Sequence, residues 1–429
     1  MPKYIVSPTP AQVKKRPHLG NIYDWVLTDF YSKFLRLEGN EVVTPLIWNS
    51  LGYPITKMLR DRNMDVNAKN VDVLVAQCID TNEKYLKKLD INLHPVYRDD
   101  KLVTELQYHL NNKYLGKIFE KNFVGKYCAC CDKVLGTDMK IEKCKWCNSA
   151  VVSVTANGFF VNADISDIKQ KADRIKFIPE SIKRSLLNFA ETLPRNYDVL
   201  ISKNREYTTE VMINGKKVQL DPRFATIMAV TLINSMHAKD QTSSIIIHGD
   251  VVKKFDYYNL VYNTCNFIPS VIVGHSVCLG SGGKKIRVAD NESVYDLDNL
   301  FETYSPQIIR GFLLSRDISY PVSISESGIE EVKTIKSRLS RIINELKNHS
   351  DKGSNVLNYD NVDVASLDFH NFAREFKLHN AFISIARIIK DINKSYLPKL
   401  RDSNLQADRN LIKLVKVMHS LYFGGSLDE

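Results

Sequence analysis

Residues 4–48 read YIVSPTPAQVKKRPHLGNIYDWVLTDFYSKFLRLEGNEVVTPLIW. The apolar run Tyr4-Ile5-Val6 has the composition of a buried strand. A loop with three prolines and three basic residues follows and ends in Pro17-His18-Leu19-Gly20-Asn21. Ile22, Trp25, Val26, Phe30, Phe34 and Leu37 then recur at helical spacing, and Gly39-Asn40 is the stop signal. A second apolar run, Val42 to Trp48, closes the unit. Strand, loop, helix and strand in this order make a βαβ crossover, which implies a parallel sheet. In open α/β sheets, the loop that leaves the first strand's carboxyl end and feeds a helix N-terminus is where anions and nucleotides sit.

His18-Leu19-Gly20-Asn21 has a physical use at such a place. Gly20 lets a ligand approach the backbone. His18 and Asn21 are neutral donors suited to phosphate oxygens and to charge that grows in a transition state. As four residues alone they are also compatible with an ordinary loop. In context the segment resembles the first half of a class I aminoacyl-tRNA synthetase of the methionyl/leucyl/isoleucyl/valyl subgroup. The tetrad stands where that family has its HIGH signature. Ile47-Trp48-Asn49-Ser50-Leu51-Gly52-Tyr53-Pro54 stands where it has a G-W-D-x-x-G-L-P-like stretch.

A length of 429 residues suggests two or three domains, and the 44% hydrophobic content is ordinary for a soluble chain. No apolar run reaches membrane-span length and no signal-peptide core is present, so a cytoplasmic protein with no membrane partner is expected. The net charge of +10 fits a polyanionic partner such as RNA, and equally a lysine-rich solvated surface. Eight cysteines in a chain this long do not suggest a disulfide scaffold.

Residues 55–117 continue the α/β pattern. Asp72 to Ala76 reads as a short strand or a helix turn, Glu83 to Leu89 as a helix, Asp90 to Arg98 as a connector, and Leu102 to Phe119 as a helix. Cys128-Ala129-Cys130-Cys131 and Cys144-Lys145-Trp146-Cys147 are two CxxC knuckles. Two knuckles bring four thiolates to one point, so Cys128, Cys131, Cys144 and Cys147 are the expected ligands of a structural Zn²⁺. Cys130 is a spare thiol, and a four-cysteine set leaves no open position for catalysis. Gly158 to Val161 reads as a strand, Ser181 to Thr192 as a helix, and Glu210 to Val218 as a hairpin turning at Asn214-Gly215. The resemblance implies that this stretch is the connective insertion of those enzymes. Only about 80 residues separate the knuckle from the far side of Ile201-Ser202-Lys203, too few for the large editing fold of the leucyl, isoleucyl and valyl enzymes.

Ser244 to Asp250 reads as a strand ending in a polar turn, followed by a helix near Phe255–Cys265 and a strand at Ser270–Val273. Asp250 would accept from ribose hydroxyls, as the family's G-x-D turn does, with His248 in the place of its glycine beside Gly249. Gly280-Ser281-Gly282-Gly283-Lys284-Lys285-Ile286-Arg287 is a glycine-rich cationic loop that can close over a triphosphate. It resembles the KMSKS loop: Lys284 and Arg287 fall on its lysines, Lys285 on its methionine, and Ile286 and Val288 on its serines. From about Ser325 the spacing is helical, over Ile329–Lys347, Phe369–Tyr396 and Leu411–Tyr422, and resembles the start of an anticodon-binding domain.

The implied fold is α/β: a Rossmann-like parallel-sheet core with a zinc-knuckle insertion and a C-terminal α-helical domain. Its expected parts are 1–117, the first half of the core; 118–200, the insertion; 201–324, the second half with the basic loop; and 325–429, the helical domain. The implied chemistry is activation of an amino acid by ATP with Mg²⁺, followed by transfer to tRNA. His18, Asn21, Lys284 and Arg287 would be catalytic. His18, Gly20, Asn21, His248, Gly249, Asp250, Lys284, Lys285 and Arg287 would hold ATP. Pro8, Trp48, Asn49, Tyr53 and Tyr207 would line the amino-acid pocket, although an aromatic there equally serves core packing. Asn49 stands where the family has an aspartate for the substrate ammonium, and an amide cannot neutralise a cation. A relative that activates an acid for another acceptor, or a non-catalytic RNA- or protein-binding descendant, therefore stays open.

Overall fold

A computed structural model of the chain describes residues 3–13, 16–113, 116–130, 133–136, 142–144, 148–202, 207–238, 242–249, 260, 268–279, 297–350, 355–360, 362–401 and 405–425. Asp250, Lys284, Lys285, Arg287, Cys131, Cys147 and, apart from the buried Leu260, the helix expected near 255–265 lie outside the described residues.

The opening crossover is present. β1 (Lys3–Pro8) is followed by the short β2 (Ala11–Gln12), then by α1 (Leu19–Leu37) and β3 (Glu41–Val43). β1 and β3 are parallel neighbours, Lys3 opposite Glu41 and Ile5 opposite Val43. The second apolar run is not one strand. Pro45 has no amide to give to a ladder, and the chain leaves the sheet there. β4 (Leu46–Asn49) joins a separate parallel sheet between β2 and β5 (Val96–Arg98).

Between β4 and β5 lie α2 (Tyr53–Arg60) and α3 (Ala68–Lys88). The two short segments expected over 72–89 are one helix, which Asn67 caps by accepting the Asn70 amide at 2.9 Å. α4 (Val103–Lys113) is shorter than the expected 102–119 helix. Gly116 takes φ +78°, and Ile118 and Phe119 begin a strand instead.

That strand is β6 (Ile118–Cys128), which with β7 (Lys133–Gly136), β8 (Val152–Asp164) and β10 (Asn196–Leu200) forms an antiparallel sheet ordered β10-β8-β6-β7. α5 (Ile165–Asp173), β9 (Lys176–Ile178) and α6 (Ser181–Glu191) connect β8 to β10. β9, from a stretch expected to lie wholly in the insertion, is the edge strand of the main sheet. The hairpin β11 (Glu210–Ile213) and β12 (Lys216–Gln219) turns where expected, with Asn214 at φ +51° and Gly215 at φ +76°. α7 (Pro222–His237), β13 (Thr242–His248) and β14 (Val271–Gly274) follow. The main sheet is ordered β3-β1-β13-β14-β9, and every pairing in it is parallel.

The C-terminal part is helical: Glu326–Asn348, Val362–Arg374, Leu378–Asp391 continuing through a π turn into Leu397–Arg401, and Arg409–Phe423. The single helix expected over 369–396 is broken at Phe376. Its φ is +56°, and its ring stacks on Tyr31 of α1 at 3.9 Å. Docking against α1 outweighs the local preference for a continuous helix. α1 is buried on nearly every face, Asp24 and Asp29 included, because the sheet lies on one side and the helical domain on the other.

Candidate active site

The chain runs from β1 to β3 on one side, and β13 lies on the other. The strand order therefore reverses between β1 and β13, and in open α/β sheets the crevice outside the carboxyl ends of two such strands is the place for a ligand. Pro8 ends β1 opposite Ile247, and the Thr9 amide donates to the Ile247 carbonyl at 2.9 Å. The loop then reaches His18, the N-cap of α1. Its Nδ1 accepts the Asn21 amide at 3.2 Å, and its own amide donates to Asn21 Oδ1 at 3.4 Å. With Nδ1 accepting, the neutral ring carries its proton on Nε2, which makes it a donor. Asn21 uses its oxygen in the cap and keeps the Nδ2 amide as its donor. A Cβ on Gly20 would sit 3.0 Å from His18 Cε1 and Nδ1. The glycine makes room for the His18 ring, a closer neighbour than the ligand expected from sequence.

His248 ends β13, buried, and pairs with Gly274 at the end of β14. His275 follows at once. Its Nε2 is 2.8 Å from Asp24 Oδ1 on α1, and its Nδ1 is 2.7 Å from the Ser276 carbonyl. Both ring nitrogens thus lie within hydrogen-bond distance of an oxygen. The ring lies 4.3 Å from Tyr23, and a Cβ on Gly249 would meet it at 3.2 Å. His275 thus ties the ends of β13 and β14 to the first turns of α1. The far side of the basic stretch is tied to the same place: Arg16, two residues before His18, pairs with Asp298 at 2.8 Å, and Tyr85 donates to Asp298 at 2.6 Å.

On the neighbouring sheet Trp48 is fully buried, edge-on to Trp25 at 5.8 Å. It is packed as core. Asn49 is half-buried at the end of β4, where its carbonyl accepts the Val13 amide at 2.9 Å and its Oδ1 the Leu51 amide at 3.4 Å. Tyr53 opens α2.

Beside Asn49 is a buried acidic pair, Asp99-Asp100, from the short gap between the connector expected over 90–98 and the helix expected from 102. Asp99 accepts from the Ser50 amide at 2.8 Å, lies 2.8 Å from Ser50 Oγ, and lies 2.6 Å from Thr226 Oγ1 of α7. Asp100 receives the Arg98 fork at 3.0 and 2.7 Å, and the Tyr207 hydroxyl donates to it at 3.2 Å. Arg98 also reaches Asp72 at 2.7 Å. Burial pushes the Asp99 carboxyl up to about 6, against the hydrogen bonds from Thr226 and Ser50. Burial, followed by the charge of Asp100, raises Tyr207 well above an ordinary phenol, so it stays a donor. The two ion pairs of Lys101 and Arg98 with Asp72 hold that exposed carboxyl below the usual range, the Lys101 hydrogen bond contributing most.

Residues 4–158 match the family described as tRNA synthetases class I (M). That match covers the first third of the chain, from β1 into β8, and over it the chain is similar to a class I tRNA synthetase domain. It is 22% identical over 420 residues to the methionine–tRNA ligase of Caldanaerobacter subterraneus subsp. tengcongensis, covering 88% of this chain and 63% of that one. It is 21% identical over 267 residues to the leucine–tRNA ligase of Buchnera aphidicola, covering 59% and 29%. The chain thus spans less than two thirds of the length of these relatives. In fold it is similar to Mycobacterium tuberculosis methionyl-tRNA synthetase bound by methionyl-adenylate, at a TM-score of 0.77 and 15% identity, covering all of this chain and 93% of that one. It is also similar to the Agrobacterium radiobacter K84 LeuRS in a ternary complex with tRNA and LeuAMS, at 0.73 and 10%, covering 98% and 84%.

At the end of β6 and in the stretch before β8, Cys128 and Cys144 are buried together in a small cluster with Val151 against it. Cys144 opens a tight turn: its carbonyl accepts the Asn148 amide at 2.8 Å and its amide donates to Ser149 at 2.9 Å, with Asn148 at φ +59°. Among the described residues no group of three or more His, Cys, Asp or Glu could hold a metal ion, and Cys131 and Cys147 are not among them. No described helix is long and apolar enough to cross a membrane.

Asp24, His275, Asp99 and Thr226 are the site residues that motif reading missed. Asp24 had one signal, an acid directly beside the apolar positions Trp25 and Val26 of α1. The Asp99-Asp100 pair had another, two adjacent acids just after an arginine. His275 and Thr226 carry no local signal, because only the sheet order brings them to the site.

Proposed function

We propose that this chain activates an amino acid with ATP to an aminoacyl-adenylate and transfers the acyl group to tRNA, without editing in cis. One observation carries the reading. The His18–Asn21 cap sits in the crevice between β1 and β13, and the described flanks of the basic stretch, His275 and Asp298, both touch α1 or the loop before it. Lys284 and Arg287 lie on the chain between those flanks.

In this reading ATP lies along the crevice, with Gly249 and Asp250 at the ribose and His18 Nε2–H, Asn21, Lys284, Lys285 and Arg287 at the phosphates. The substrate carboxylate attacks the α-phosphorus, the bond to the β-phosphate oxygen breaks, and pyrophosphate leaves with its electron pair. A carboxylate is already a nucleophile at neutral pH, so no general base is required. Orientation and charge stabilisation carry the rate. Mg²⁺ arriving with the nucleotide would supply further neutralisation of the phosphate charge.

The domain division follows: residues 1–117 and 201–324 as the core, 118–200 as the insertion apart from β9, and 325–429 as the helical domain. The described residues of 118–200 form one antiparallel sheet, two helices and β9, and the shortness of this stretch is the ground for reading it without a separate editing fold. The buried Cys128 and Cys144 thiols and the tight turn at Cys144 fit a structural Zn²⁺ held with Cys131 and Cys147.

Asn49 favours a second reading, an acid activated for a different acceptor. The acids beside it are engaged elsewhere, Asp100 by Arg98 and Asp99 by Ser50 and Thr226. Exchange of labelled pyrophosphate into ATP, tried across all amino acids, tests activation. No exchange with any of them overturns the reading and leaves a binding descendant. Exchange without charging of bulk tRNA selects the second acceptor.

A further inference from the structure

Ser50 Oγ lies 2.8 Å from Asp99 Oδ1 and 2.5 Å from Asp100 Oδ1. Thr226 Oγ1 lies 2.6 Å from Asp99 Oδ2 and 2.8 Å from the Pro222 carbonyl. These are four oxygen–oxygen contacts, and the two hydroxyls supply only two hydrogens. With both carboxyls ionised, two of the contacts are bare acceptor against acceptor in a buried site, which is unfavourable. One added proton supplies a third contact. It belongs on Asp99, because the Arg98 guanidinium keeps its partner Asp100 anionic.

We propose that Asp99 is a proton-holding positioning residue. As a carboxylic acid it clamps the Ser50 turn to α7 and so sets Asn49 at the mouth of the acid pocket. This rests on the pocket assignment above, though the proton count does not. Asp99 is fully buried. Asp100 and Arg98 face it from its own turn, Asp72 reaches Arg98 from α3, and Tyr207 reaches Asp100. From α7 come Thr226 and the first turn that Asp221 caps. Burial and the neighbouring Asp100 charge both favour the protonated form. The sign follows. The folded state holds this proton to a higher pH than the unfolded chain does, so stability falls as pH rises from about 4 to about 6 and is level above that.

The test uses the full chain and three proteins: wild type, Asp99→Asn and Asp99→Ala. An asparagine amide donates to Thr226 while its oxygen accepts the Ser50 amide, so it copies the neutral acid at every pH. Thermal midpoints without substrate should show Asp99→Asn drawing ahead of wild type as pH rises from about 5 to about 8, with Asp99→Ala below both at about pH 5. In pyrophosphate exchange, the wild-type KM for the acid should rise several-fold over that range, while that of Asp99→Asn stays within about twofold. Parallel stability curves, or Asp99→Asn falling with Asp99→Ala at low pH, overturn the proton. Stability curves as expected with unchanged KM values overturn the positioning role. If Asp99→Asn does not fold, carboxyl ¹³C resonances of aspartate-labelled wild type decide the matter: one buried carboxyl must titrate near pH 6, and none doing so overturns the proposal. An absence of all exchange activity refutes the activation reading and leaves the stability curves as the test of the proton.

Discussion

Replacing His18 by alanine removes two things together. The Asn21 amide loses its cap, which costs about 1 kcal/mol of stability. The crevice loses an Nε2–H donor, and loss of one donor to developing charge lowers turnover by about 10²–10³. Pyrophosphate exchange should therefore fall by that factor while the melting midpoint moves only slightly. Lys284→Ala should abolish exchange with no change in melting, and wild-type rates in both variants would remove these residues from the site. Gly20 shows how a residue type can be right for an unexpected reason. The sequence marks it as a place without a Cβ, and the fold uses that space for the His18 ring.

At the level of elements, α1 is the rod on which the molecule is built. Its helical spacing and its stop were legible because every apolar position obeys one period. Its burial on nearly every face was not, because the partners that let Asp24 and Asp29 be buried, His275 and Arg310, come from 251 and 281 positions away. The β-hairpin at Asn214-Gly215 was legible from the dipeptide alone. The break at Phe376 was not, since its left-handed backbone is held by a ring contact with α1. The cysteine turn makes an element-scale prediction. Metal analysis should find about one zinc per chain. Cys144→Ala should lose the metal and lower the melting midpoint of the insertion, and an unchanged curve with full zinc would remove Cys144 as a ligand.

Across the whole molecule, the core and the helical domain are joined through a charge with no exposed surface. Arg310 pairs with Asp29 of α1 at 2.6 Å and donates to the Leu421 carbonyl of the last helix at 3.0 Å, while Lys33 reaches Asp29 at 3.1 Å. Arg310→Met would leave the buried Asp29 carboxylate with Lys33 in place of two cations, at a cost of up to about 3–5 kcal/mol. Urea unfolding of the full chain measures this. Asp29→Asn in the same background should recover part of the loss, because the stranded charge is gone.

The sequence by itself determined the order of the parts: the βαβ opening, the loop that feeds the helix N-terminus at His18, the hairpin, the thiol spacing and the helical C-terminal region. Each depends on residues near one another along the chain, where period and turn chemistry act directly. Only the tertiary structure decided that β9 closes the main sheet, that Leu46–Asn49 belongs to another sheet, and that His275, Thr226 and Arg310 meet the acids of α1 and of the Asp99 turn. Those outcomes come from burial and charge pairing between segments far apart in sequence, which no local spacing encodes.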